Sequence, residues 1–365
     1  MTTPLSPEPA DAIKLHRDAI DAIDDALLSL LNERAQHARE IGHIKTQQTA
    51  IWRPEREAQI VRRLLNNNKG PLSDEAIAFL CRQVMSACRA LEKPLSIAYL
   101  GPAGTFSEQA VLRQFGFFCD AVAFPSLDDA LKSAEKGQCH YAVLPIENST
   151  EGAVARTHDL MVTTPLSVCG EIKLRINQNL LSKEASCDTI HRVYSHPQSL
   201  AQCARWLSLH LPNAERVSVG SNAEAAKRAA EEPQTAAIAG ETAASNYELH
   251  ILHANIEDMP NNTTRFWVLG NNAPAPSGTD MTSLIMSASR NQSGAIYALL
   301  EPFARNQVSL TRLESRPAHL SMWEYFFFVD VEGHRDDPPV AASLKELQKM
   351  SPFLKVLGSY PAAQV

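Results

Sequence analysis

The sequence predicts a multidomain chain made of an all-α segment, then an α/β segment, then a small α+β segment. Apolar residues recur at helical spacing, without proline, from Leu15 to about Thr46. After Lys93-Pro94 short apolar runs alternate with helices, and from about residue 279 the pattern reads strand, helix, strand, strand, helix, strand. A length of 365 residues suits two or three domains rather than one.

Taken in order, Ile20, Ile23, Leu27, Leu30, Ile41 and Ile44 stand three, four or multiples of a turn apart and predict one long amphipathic helix, with Gly42 its weak point. Pro54 suits the first turn of a second helix, which stops near Asn66-Asn67-Asn68-Lys69-Gly70. Ser73, followed by Asp74 and Glu75, opens a third that runs to about Leu91. Some 30 residues make a helix roughly 45 Å long. Two shorter helices do not cover that length, so dimerisation through the long helix is expected.

Beyond Lys93-Pro94 the expected elements are a strand at Ser96 to Leu100, a helix at Ser107 to Phe115, a strand at Tyr141 to Leu144, and helices at Leu200 to Leu209 and Ala223 to Ala230. Such alternation implies a largely parallel sheet. The Pro/Gly-rich stretch Asn271 to Gly278 separates the last unit. Its strands are expected at Thr282 to Ala288, Leu310 to Glu314, Tyr325 to Val331 and Leu354 to Gly358, and its helices at Ala295 to Asn306 and Ala341 to Met350. This βαββαβ order is ferredoxin-like.

Composition narrows the function. With 44% hydrophobic and 21% charged residues the chain is that of a soluble globular protein, and a net charge of −7 argues against a general nucleic-acid binder while leaving room for a local anion site. No apolar run approaches the roughly 20 residues of a membrane span. The start, Met1 to Pro9, is Pro-rich and lacks the segments of a signal peptide; a disordered tail over residues 1–10 and a cytoplasmic location are expected. The seven cysteines are odd in number and form no C-x-x-C, so neither a disulfide framework nor a zinc site is indicated.

Three places combine small polar side chains with a neighbouring apolar run: Asn261-Asn262-Thr263-Thr264-Arg265 before Phe266 to Leu269, Pro145-Ile146-Glu147-Asn148-Ser149-Thr150-Glu151-Gly152 after Tyr141 to Leu144, and Tyr194-Ser195-His196-Pro197-Gln198-Ser199 after His191 to Val193. Each alone is an ordinary turn. Together they suggest one convergent pocket at the carboxyl edge of a sheet, where open α/β folds bind ligands.

These motifs, with Gly101-Pro102-Ala103-Gly104-Thr105-Phe106-Ser107, Thr264-Arg265-Phe266 and Glu314-Ser315-Arg316-Pro317, occur in the order found in bifunctional chorismate mutase/prephenate dehydratases, which the chain resembles over essentially all its length after the tail. The resemblance implies an all-helical mutase domain at 11–93 and a dehydratase domain at 94–273, two-lobed like periplasmic binding proteins, with its second lobe at about 175–260. It also implies an ACT regulatory domain at 279–365 that binds phenylalanine. A cytosolic homodimer, or a larger oligomer, is expected, acting on chorismate and prephenate with no metal or organic cofactor. A metabolite sensor built on the same folds is the alternative; it has no need of Thr264, Asn148 or the Arg34/Lys45 pair.

Arg34 falls seven residues after Leu27 and seven before Ile41, on the apolar stripe, and Lys45 lies eleven further on the same face, roughly 16 Å away. Both side chains leaning inward would clamp a small dianion; both running to solvent, or Arg34 pairing with a carboxylate of a partner helix, fits the spacing too. The resemblance favours the clamp: Arg34, Arg56 and Lys45 on carboxylates or the ether oxygen, Arg17 reaching the partner's site, Glu57 on the substrate hydroxyl. It places Cys88 and Glu92, four apart on one helix face, where well-known relatives carry Ser and Gln, and Arg53 where some have Asp. A protonated Glu92 would donate to the ether oxygen where an ionised one would repel it. Mutase kcat/KM is therefore expected to decline toward alkaline pH in wild type and to hold in Glu92→Gln. Parallel profiles would assign Glu92 instead to an ion pair with Lys93 or Arg89.

For the dehydratase, the resemblance puts Thr264 on the departing hydroxyl, Asn148, Ser195 and Gln202 around it, and Arg265 near the substrate anion. His196 is a structural residue before Pro197 or an acid. The family's effector positions correspond to Gly294, Ala295 and Ile296 and to Glu314, Ser315, Arg316 and Pro317, with Ile296-Tyr297 standing where Leu-Val is usual.

Overall fold

Proline-free periodicity yields a 36-residue helix, α1 (Pro9–Ile44), followed by α2 (Pro54–Asn67) with its proline in the first turn and α3 (Asp74–Glu92). The computed structural model describes residues 9–44, 50–288, 293–317 and 325–363. Ser73 Oγ accepts from Ala76 N at 3.2 Å and so caps α3 as its sequence implies. Along α1, Ile20, Ile23, Leu27 and Leu30 stay 49–61% exposed: α2 and α3 leave the stripe bare within one chain.

The middle unit begins with β1 (Ser96–Leu100), α4 (Phe106–Phe115), β2 (Asp120–Phe124), α5 (Leu127–Glu135), β3 (Tyr141–Asn148), β4 (Gly152–Ala153), α6 (Ala155–Thr163) and β5 (Ser167–Arg175). A second lobe holds β6 (Asn179–Ser182), β7 (Arg192–Ser195), α7 (Pro197–Gln202), α8 (Ala204–His210), β8 (Glu215–Ser218), α9 (Asn222–Glu231), β9 (Thr235–Ala239), α10 (Glu241–Asn246) and β10 (His250–His253). The chain then returns to the first lobe as β11 (Thr263–Gly270). The sheets run β2-β1-β3-β11-β5, with β4 on β3, and β10-β6-β9-β7-β8.

Two expectations need correcting. The sheets are mixed: β11 is antiparallel to both β3 and β5, because the chain crosses to the second lobe after β5 and must come back the other way. The single helix expected at Leu200 to Leu209 is two, since Asp258 accepts from the amides of Arg205 (2.9 Å) and Trp206 (3.1 Å) and caps a fresh helix start at α8.

The last unit is β12 (Asp280–Ser287), α11 (Ala295–Arg305), β13 (Leu310–Pro317), β14 (Tyr325–Glu332), α12 (Pro338–Met350) and β15 (Leu354–Pro361), with the antiparallel order β13-β14-β12-β15 of a ferredoxin-like fold. One sheet face carries α11 and α12 over Leu284, Met286, Phe327 and Val329. The other shares a core with the first lobe, where Ile285, Phe326, Phe328 and Tyr360 pack with Leu144, Met161 and Trp267. At this seam a Cβ on Gly358 would stand 2.1 Å from Val168 O, so only glycine lets β15 approach β5. The stretch expected to be a linker is also engaged, with Arg62 donating to Ser277 O at 3.1 Å.

His158 is buried in the same seam, 4.8 Å from the Phe328 ring. Arg312 can only donate, so His158 Nε2 accepts from it at 3.0 Å and Nδ1 donates to Val154 O at 3.0 Å. Burial, opposed by the Val154 bond and aided by Arg312 and Arg316, lowers the His158 pKa from 6.5 to about 4. Above about pH 6.5 the ring is neutral folded and unfolded, and the contact contributes fully. Between pH 6.5 and about 4 the unfolded chain gains a proton that the folded one refuses. The unfolding free energy is therefore expected to fall on acidification by roughly 2–3 kcal/mol more in wild type than in His158→Gln at pH 4.5, with the thermal midpoint falling faster accordingly. Parallel midpoints from pH 7.5 to 4.5 would remove His158 from the acid response. No helix among the described residues is long and apolar enough to cross a membrane.

Candidate active sites

The return of β11 beside β3 decides where the polar motifs meet. Its polar residues lie at its start, β3's lie at its end, and antiparallel pairing sets Thr264 opposite Asn148 and Arg265 opposite Glu147. Directly opposed residues share a sheet face and successive ones alternate. Thr264 and Asn148 therefore face one side, toward a cleft of about 780 Å³ between the two lobes. The first lobe also contributes Gly101, Pro102, Thr105 and Asn262, and the second His196, Gln198, Ser199, Gln202 and Asn222.

Asn148 is held by its own turn. Its Oδ1 accepts from the amides of Thr150 (3.0 Å) and Glu151 (3.2 Å), which directs Nδ2 to Thr264 Oγ1 at 2.9 Å and Asn262 Oδ1 at 2.8 Å. Because Thr264 Oγ1 accepts there, its own O–H is available to donate into the cleft. Across the cleft Asn222 Oδ1 accepts from Ser195 Oγ (2.9 Å) and from His196 N (3.1 Å), and Asn222 Nδ2 donates to Ser199 Oγ at 2.9 Å. Gln178 Nε2 donates to Ser199 Oγ (3.0 Å) and Gln202 Oε1 (3.2 Å). The network ends at Gln202 Nε2 and Gln178 Oε1, both buried without a partner among the described residues. Buried amide atoms without partners are uncommon, and both belong to residues that line the cleft.

Not every predicted residue reaches this cleft. Arg265 alternates to the opposite face, where it binds Glu171, Asp330 and Tyr360 in the seam with the last unit, so its expected place near a substrate anion is corrected. Ser195 is fully buried behind the wall, its single hydroxyl proton lying between two acceptors, Asn222 Oδ1 and Ile238 O, each 2.9 Å away, and it touches the cleft network through Asn222. His196 lines the cleft while its Nδ1 accepts from Gln198 N at 3.4 Å at the start of α7. Gln178 and Asn222 carried no sequence signal, being single residues outside any motif.

A second cavity, about 500 Å³, lies among the helices. Arg34 comes from α1, Arg56 and Glu57 from α2, and Cys88 and Glu92 from α3, together with Arg53, Glu55 and Arg89. Lys45 lies outside the described residues. Arg17 is exposed on α1 and does not line the cavity. Glu57 is bound by Arg89, a residue not singled out as a site residue, and Arg53 pairs with Glu55 at 2.9 Å. A Cβ on Gly42 would meet Glu92 Cγ at 2.9 Å, so the glycine that weakened α1 as a helix makes room for Glu92. Among the described residues no group of three or more His, Cys, Asp or Glu is placed to hold a metal ion.

In the last unit, Glu314 to Pro317 forms the end of β13, which runs three residues beyond the expected Glu314, and alternation divides it. Ser315 opposes Phe327 on the face covered by α11, whereas Glu314 opposes Phe328 and Arg316 opposes Phe326 on the face against the first lobe. There Glu314 binds Arg312, Arg312 reaches Glu147 at 3.1 Å, and Arg316 reaches Asp159 at 3.0 Å. Gly294, at φ +83°, occupies the left-handed N-cap of α11, with Ala295 and Ile296 in its first turn.

The sequence profile of chorismate mutase type II matches residues 16–93, that of prephenate dehydratase residues 97–274, and that of the ACT domain residues 282–348. A bifunctional chorismate mutase/prephenate dehydratase of Neisseria gonorrhoeae is 52% identical over 351 residues, covering 95% of this chain and 96% of its own length. The enzyme of the same name from Pseudomonas aeruginosa is 46% identical, covering 97% and 98%. Among solved structures, the prephenate dehydratase of Arthrobacter aurescens in complex with L-Phe superposes with a TM-score of 0.69 at 32% identity, over 74% of this chain and 90% of its own. With matching domains in the same order and about half its residues shared along nearly the whole length, the chain belongs to the bifunctional chorismate mutase/prephenate dehydratase family.

Proposed function

We propose that the helical cavity converts chorismate to prephenate, that the inter-lobe cleft converts prephenate to phenylpyruvate, and that phenylalanine inhibits the second step. The observation that carries the dehydratase assignment is the Asn148–Thr264 pair, which presents an oriented hydroxyl to a polar cleft between the lobes. A phenylalanine sensor has no use for that donor.

Chorismate rearrangement is unimolecular and needs neither nucleophile nor proton transfer, only a folded substrate and stabilisation of negative charge growing on the ether oxygen. Arg34 and Arg56 supply cations, joined by Lys45; Glu57 accepts from the substrate hydroxyl; Glu92 and Cys88 line the α3 side of the cavity. Arg17, exposed on α1 and outside the lining of its own cavity, serves that of a second copy, whose α1 covers the bare stripe. In the dehydratase, loss of the ring carboxylate as carbon dioxide releases the electron pair that aromatises the ring and expels the hydroxyl. That oxygen leaves as water, taking a proton through the Thr264 hydroxyl, a preorganised donor rather than an acid of matched pKa. Neither reaction draws on a metal or organic cofactor. The division into domains at 11–93, 94–273 and 279–365 and a cytoplasmic location belong to the same reading. Purified protein given chorismate should consume it and produce phenylpyruvate; absence of either step would refute the corresponding site.

Regulation follows the alternation of β13. Ser315 and the Gly294–Ile296 turn lie on the helix side, where they would take phenylalanine. Glu314 and Arg316 grip the dehydratase side, and Arg312 binds Glu147, the neighbour of Asn148. Ser315→Ala is expected to raise the inhibitory phenylalanine concentration about tenfold, the scale for one hydrogen bond to a charged ligand, with the uninhibited rate unchanged. Unaltered inhibition would move the effector site elsewhere, and calorimetry showing no phenylalanine binding to wild type would end the regulatory reading.

A further inference from the structure

Trp52 precedes α2 in the mutase domain, yet its side chain is fully buried in the dehydratase core. Its ring lies 4.8 Å from Phe115 and 5.1 Å from Tyr141. A Cβ on Gly170 would stand 3.1 Å from the indole edge. Only the polar edge faces back: Nε1 donates to Glu57 Oε2 at 3.1 Å. The other oxygen, Glu57 Oε1, accepts from Arg89 Nη1. Arg89 is itself anchored in the dehydratase domain, donating through Nη2 to Phe115 O at 2.8 Å. Its helix is fastened beside it, with Phe117 N donating to Gln83 Oε1 (3.0 Å) and Phe118 N to Ser86 Oγ (3.2 Å). Both donors to Glu57 therefore take their positions from the neighbouring domain.

A carboxylate with each oxygen tied to a fixed donor cannot rotate, while each oxygen keeps a lone pair for a ligand. Glu57 lines the helical cavity in that fixed state. We infer that Trp52 and Arg89 are positioning residues of the mutase, holding the Glu57 carboxylate toward chorismate from a base in the dehydratase domain, so that the second domain completes the first domain's site. The inference rests on the reading of Glu57 as acceptor of the substrate hydroxyl. An acceptor of this kind serves ground state and transition state alike, so its misalignment raises KM more than it lowers kcat.

The test uses the full-length chain and four forms: wild type, Trp52→Phe, Glu57→Gln and the double variant. Phenylalanine keeps the ring in the core and deletes the N–H. Trp52→Phe is expected to lower mutase kcat/KM about tenfold, the scale for a hydrogen bond to a charged group, chiefly through KM. Conversion of added prephenate should stay within about twofold, and Trp52→Phe should cost under about twofold more in the Glu57→Gln background, since coupled residues are not additive. Mutase kinetics unchanged in Trp52→Phe but impaired in Glu57→Gln would overturn the positioning role and leave the Glu57 reading standing. An unimpaired Glu57→Gln would remove that reading and the inference with it. Parallel loss of both activities in Trp52→Phe, or full additivity in the double variant, would assign Trp52 to core packing and overturn the role as well.

Discussion

Thr264→Ala is expected to lower dehydratase kcat by about a hundredfold or more, the scale for removing a preorganised transition-state donor, while mutase turnover stays near normal. The separation follows from geometry. Thr264 faces the inter-lobe cleft on β11, and the helical cavity shares no lining residue with that cleft. Asn148 holds the Thr264 oxygen at 2.9 Å as an acceptor, so what alanine removes is an O–H aimed at the substrate and a partner for the Asn148 amide. Thr264→Ser keeps the hydroxyl and should recover most of the rate. Equal loss of both activities in Thr264→Ala would indicate misfolding, and an unchanged kcat would take Thr264 out of the mechanism.

Arg34→Ala should abolish mutase turnover and leave the conversion of added prephenate intact. Arg34 reaches the helical cavity from α1, where it joins Arg56 in a small space that must receive a dianion. Supplied with chorismate, the variant should make no phenylpyruvate; supplied with prephenate, it should work as wild type does. Mutase activity retained within a factor of about three, a small effect on the rate scale, would make the cation structural.

Periodicity and capping were enough to place the helices of the mutase and both helices and all four strands of the ACT unit, because each carries an apolar face that recurs every 3.6 or 2 residues, whether covered within the chain or, as on α1, left bare. They were not enough to orient β11. Nothing local in Thr263 to Gly270 says that the preceding chain has crossed to another lobe and returned, and that excursion is what turns the strand antiparallel and brings Thr264 beside Asn148. Register then separated residues that a motif presents as one group: Thr264 faces the cleft and Arg265 the seam, Ser315 the helices and Glu314 the dehydratase. Arg89 and Trp52 escaped notice as site residues for a related reason, since what fixes them, Phe115 for both and Tyr141 for Trp52, lies in sequence-distant elements that no local spacing encodes.

Under the proposed pairing of two copies, the bare stripe of α1 would link the mutase to how much protein is present. Ile20, Ile23, Leu27 and Leu30 are uncovered in one chain, and the same helix carries Arg34 to its own cavity and Arg17 away from it. If, as proposed, the Arg17 of a second copy completes the helical cavity, that site obeys mass action, whereas the proposed dehydratase residues Asn148 and Thr264 are held by contacts within their own lobe. Diluting the enzyme should therefore uncouple its two activities, with chorismate turnover per chain fading while prephenate turnover persists, so that prephenate accumulates from neither site and the pathway stalls at its entry rather than at its exit.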